Sequence, residues 1–92
     1  MLFLPVEFGG REIPENTVYI PPFVLEEKRR IDLDIVAELV RVGKAKCYQA
    51  NPEYQGTSGV PIAIHIRAYM PGEFKAVIAI WGDALRKYSN PQ

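Results

Sequence analysis

The sequence predicts an α+β fold, a small antiparallel sheet packed on one helix in the order β-β-α-β-β-β-α. Three observations carry this reading. PIAIHIRAYMPGEFKAVIAIW (61–81) reads as two strands folded back over Pro71-Gly72. DIVAELVRV (34–42) sets Ile35, Val36, Leu39, Val40 and Val42 on one helical face and leaves Glu38 and Arg41 to solvent. GDALRKYSNPQ closes the sequence as a short helix with Asp83 placed to cap it, followed by a frayed tail.

Taken in order, LFLPVEF (2–8) is strand-like, and Gly9-Gly10 turns the chain because glycine tolerates positive φ. TVYI (17–20) is β-branched and aromatic and reads as a second strand, stopped by Pro21-Pro22. EEKRRIDLD (26–34) nearly neutralises its own charge and reads as a solvated edge or loop. For the helix at 34–42, Asp34 is a cap candidate at its start and Gly43 at its end. IDLDI alternates with the strand period instead, and a strand over 31–42 would turn the fold into an all-β small barrel or sandwich. AKCYQA (45–50) is a strand, and NPEYQGTSGVP (51–61) is a long loop, either mobile or able to close on a ligand.

Length and composition bound the function. The 92 residues, 48% hydrophobic and 24% charged, suit one domain over 1–92 with a single core. Eleven basic residues balance eleven acidic ones, which argues against wrapping duplex nucleic acid through phosphate contacts alone. Cys47 is the single cysteine, so no intrachain disulfide forms, and a reducing cytoplasmic setting is expected. MLFLPVEF lacks the basic start of a secretory signal, and no apolar run is long enough for a membrane span. No phosphate-binding, dinucleotide-binding or zinc-binding spacing occurs, so no cofactor or metal is expected.

If Pro71 and Gly72 form a two-residue turn, Tyr69 pairs with Phe74, Arg67 with Ala76, His65 with Ile78 and Ala63 with Ile80. Those eight residues then share a face that is apolar yet carries hydrogen-bonding groups. Ile62, Ile64, Ile66 and Ala68 would face the core with Trp81, Ala79, Val77 and Lys75. A second apolar face needs a second cover, which points to a non-enzymatic binding or assembly module that meets itself or another protein there. The interface candidates are His65, Arg67, Tyr69, Phe74, Ile78 and Ile80.

Two alternatives stand beside it. A single-stranded nucleic-acid binder would stack bases on Tyr48, Tyr69, Phe74 and Trp81 and hold phosphates with Lys44, Lys46, Arg67 and Lys75. A small enzyme would centre on His65, with Cys47 as its nucleophile. The order of elements is shared by many unrelated functions and does not decide among them.

Overall fold

The computed structural model describes residues 1–88, and the tail expected from Ser89 onward lies outside them. One long helical rod packs across a three-stranded antiparallel sheet of order β1-β2-β3, the α+β arrangement expected. The rod comprises α1 (Pro22–Arg30), a π-helical stretch (Ile31–Val36) and α2 (Ala37–Arg41). The strands are β1 (Cys47–Glu53), β2 (Ala63–Tyr69) and β3 (Glu73–Ala79), and α3 (Ala84–Lys87) follows.

The helix begins twelve residues earlier than the sequence suggested. Pro22 stands at its first turn, where a missing N–H costs nothing because that group has no intrahelical acceptor anyway. EEKRR are strong helix formers, and Val24, Lys28, Ile31 and Val36 form the buried stripe. The expected loop over 26–34 is therefore helical, with Lys28 and Asp32 inside. Asp34, proposed as a cap, lies mid-helix and exposed. Gly43 ends the rod as expected, in the left-handed region at φ +78°, while Lys44 N–H reaches back to Leu39 O at 2.8 Å.

The two strands expected at 2–8 and 17–20 are reduced to one isolated bridge, Leu2 with Thr17. Between them the chain makes 3₁₀ turns at Val6–Phe8 and Pro14–Asn16. Pro5 and Pro14 interrupt any ladder, and the Asn16 side chain takes its place. Its carbonyl accepts from Leu4 N–H at 2.8 Å, and its amide donates to Leu4 O at 2.9 Å.

The hairpin differs by one residue from the expected pairing. Ile64 pairs with Ile78, His65 with Val77, Arg67 with Lys75 and Tyr69 with Glu73. The cause is Pro71: a two-residue hairpin loop wants positive φ at its first position, and proline holds φ near −65°. The loop therefore takes three residues, Met70 to Gly72, with Met70 at φ +72°. Gly72 N–H donates to Lys44 O at 2.8 Å, and a Cβ there would lie 2.8 Å from that same oxygen, so glycine is required.

One residue of shift exchanges the two faces of β3. Phe74, Ala76, Ile78 and Ile80 join Ile64, Ile66 and Ala68 beneath the rod, with Met1, Phe3, Phe8 and Ile20 packed around them. Each fully buried isoleucine stabilises the fold by about 1.5–3 kcal/mol. On the other side, α3 covers one corner, burying Ala84 against Ile62 and Ala63.

Candidate functional site

The exposed face of the sheet is polar. It carries Gln49, Asn51 and Glu53 of β1, His65, Arg67 and Tyr69 of β2, and Glu73, Lys75 and Val77 of β3. The face expected to dock a partner through apolar residues thus keeps His65, Arg67 and Tyr69 but loses Phe74, Ile78 and Ile80 to the core. The apolar second face does not exist.

The polar groups that remain are engaged with each other. Glu73 accepts two hydrogen bonds from Arg67, at 2.7 and 3.0 Å, and the guanidinium lies 3.9 Å from the Tyr69 ring centroid. That pairing raises the Arg67 pKa and lowers that of Glu73. Glu53 gathers a second cluster: Tyr88 OH donates to its Oε1 at 2.6 Å, His65 Nε2 lies 2.8 Å from the same oxygen, and Lys87 Nζ reaches Oε2 at 3.2 Å. Tyr88 first, then His65, hold the Glu53 pKa down to about 2. This cluster ties α3 to the sheet.

The nucleic-acid residues are dispersed. Tyr48 and Phe74 point inward, and Trp81 packs against the core with Nε1–H on Val60 O at 3.0 Å, so only Tyr69 among the four rings stays on the open face. Lys44, Lys46 and Lys75 are exposed, with Lys44 and Lys46 in the link between α2 and β1. Arg67 already gives its donors to Glu73. The enzyme reading fares no better: Cys47 pairs with Tyr69, four residues along β2 from His65, which sets them about 13 Å apart at strand rise.

Sequence reasoning missed the free edge of β3. Ile80 N–H donates to Ile62 O at 2.7 Å and Met70 N–H to Gly72 O at 2.9 Å, so the even-numbered residues form the hydrogen-bonded pairs with β2. The N–H and C=O groups of Glu73, Lys75, Val77 and Ala79 therefore point away from the sheet. Nothing pairs with them among the described residues. The opposite edge differs: β1 contains Pro52, and Phe3, Leu4 and Asn16 flank it. Along the free edge runs a groove walled by α1, where Phe23, Glu27 and Arg30 face Val77 and its neighbours. The alternation in EFKAVIA was visible, but which strand ends a sheet is a property of topology.

A second unforeseen group lies inside. Lys28 Nζ donates to Asp32 Oδ2 at 2.5 Å and to Tyr48 OH at 2.9 Å, and Tyr48 OH donates to Asp32 Oδ1 at 2.7 Å. Lys28 and Asp32 are each 2% exposed. Burial lowers the Lys28 pKa against the opposing pull of Asp32, and burial followed by Asp32 raises that of Tyr48 well above its usual range. The triangle joins helix to sheet and satisfies charges that would otherwise be costly to bury.

Among the described residues no helix is long and apolar enough to cross a membrane, and no group of three His, Cys, Asp or Glu side chains is placed to hold a metal. Compared with family models, curated proteins and solved structures, the chain matches none of them.

Proposed function

We propose that this protein is a small non-enzymatic assembly module that joins a second copy of itself through the free edge of β3, making one six-stranded sheet. The observation that carries this reading is the row of outward N–H and C=O groups on Glu73, Lys75, Val77 and Ala79, beside a blocked edge at β1. Proteins that stay apart usually protect such a row.

The strand matches itself when run antiparallel about Ala76. Phe74 of one copy then faces Ile78 of the other on the core side, and Ala76 faces Ala76, so large side chains meet large ones across the new ladder. Lys75 faces Val77 and Glu73 faces Ala79 on the open side, and every outward group finds a partner. Phe23, 52% exposed in the single chain, lines the groove beside this edge, so a second copy seated there would cover part of it. A cytoplasmic setting, where Cys47 stays a thiol, suits this use.

Sedimentation equilibrium over a wide concentration range tests the reading, with Val77→Pro as its control. Proline at 77 removes only an outward N–H and leaves the β2–β3 ladder bonded. The wild-type protein should be dimeric and Val77→Pro monomeric with an unchanged circular dichroism spectrum. A monomeric wild type at millimolar concentration, or a folded Val77→Pro that still dimerises, overturns the proposal.

A further inference from the structure

We infer that the dimer proposed above takes up a small multivalent oxyanion of the pyrophosphate kind on its twofold axis, between its two Lys75 side chains, and associates more tightly with it. The inference rests on that edge pairing and on the charge balance of the open sheet face. Of the charged side chains there, Glu53 is paired with His65 and Lys87, and Arg67 with Glu73. Lys75 is exposed and has no ion pair among the described residues. Neither nearby carboxylate supplies one. Glu73, two residues along β3, accepts from Arg67 with both oxygens, and Glu27, which lines the same groove as Lys75, pairs with Arg30. Arg67 stands directly across the ladder from Lys75, so a second cation is already its neighbour in the single chain.

Pairing about Ala76 doubles this uncompensated charge at one place. Lys75 of each copy faces Val77 of the other, so the new ladder sets no carboxylate opposite it. The two Lys75 residues become diagonal neighbours about 7–8 Å apart, near enough for their flexible stems to bring both ammonium groups to one anion. A ligand on the axis meets both lysines alike, which suits an oxyanion with equivalent terminal oxygens. A monovalent ion balances only one of the two charges; a multivalent one balances both. The other cations of this face are already committed, so the run of free cations that a nucleic-acid backbone would need is missing there. Because the pair of lysines exists only in the dimer, the anion binds the dimer and not the single chain, and association must tighten as the anion is added.

Sedimentation equilibrium of the full chain in sodium pyrophosphate and in sodium chloride at matched ionic strength tests the proposal, with Lys75→Met and Lys75→Arg alongside. The wild type should dimerise about threefold more tightly in pyrophosphate once the anion reaches about twice its own dissociation constant, and the gain should grow as more is added. Lys75→Arg keeps the charge and should keep the gain. Lys75→Met, at an exposed position, should stay folded and dimerise equally in the two salts. Freed of the like-charged pair, it should also dimerise in chloride at least as tightly as the wild type. Equal wild-type affinities in the two salts, or an undiminished pyrophosphate gain in Lys75→Met, overturns this inference and leaves the paired edge standing. A wild type that stays monomeric in both salts overturns the paired edge and the anion site with it.

Discussion

Ile78 stands directly across the ladder from Ile64, and both point into the core at 5% and 0% exposure. Ile78→Glu should therefore strongly destabilise the protein. It removes a buried side chain and places a charge where no partner waits, a loss of more than about 3 kcal/mol set against a total stability of about 5–15 kcal/mol. Val77→Glu, on the next residue and the opposite face, should leave the circular dichroism spectrum intact. Urea titrations of the two variants give the comparison, and a folded Ile78→Glu with a wild-type midpoint would contradict the observed pairing.

The buried triangle of Lys28, Asp32 and Tyr48 makes a second prediction. Asp32→Leu strands a charged ammonium in the core and should cost about 3–5 kcal/mol, whereas the double variant Lys28→Met/Asp32→Leu should recover most of that loss. A double-mutant cycle in chemical denaturation measures the difference. Additive effects of the two substitutions would mean that the pair is not coupled as its 2.5 Å separation requires.

The parts of this fold that were legible in the sequence are those with local causes. Gly43 ends the helix because only a left-handed residue closes that turn, and AIHIRAY and EFKAVIA alternate with the period of strands. The start of the rod, α1 and the first turn of the π-helical stretch, was hidden because its buried polar residues Lys28 and Asp32 look like surface charges until Tyr48 arrives from β1 to complete them. The faces of β3 were read in reverse because AVIAIW (76–81) is apolar at every position, so over that stretch either pairing gave a plausible core; only the φ preference of Pro71 separated the two. The free edge was illegible for a different reason: it depends on β2 lying between β1 and β3, and no single segment encodes that order.

Met70 offers a test of the loop itself. Its φ of +72° lies in the left-handed region, where a side chain costs about 1–2 kcal/mol that glycine would not incur. Met70→Gly should raise the thermal midpoint, offset in part by the greater flexibility of glycine in the unfolded chain. Differential scanning calorimetry reads the change, and a clear drop in midpoint would show that the Met70 side chain, 54% exposed, contributes packing that its exposure does not suggest.

Glu53 links stability to pH through α3. Its carboxyl, held first by Tyr88 and then by His65, falls from an ordinary 4.5 to about 2 in the folded protein. A depressed carboxyl pKa means that the unfolded chain binds the proton more readily, so the stabilisation is complete above about pH 4.5 and lost as pH falls towards 2. Glu53→Gln removes the titrating group while keeping its shape. The variant should melt below the wild type at pH 6, and the gap should close progressively between pH 4.5 and 2, together with a change in the Tyr88 ring resonances as α3 loosens. A gap that stays constant over this range would place the effect of Glu53 in packing against α3 and not in its charge.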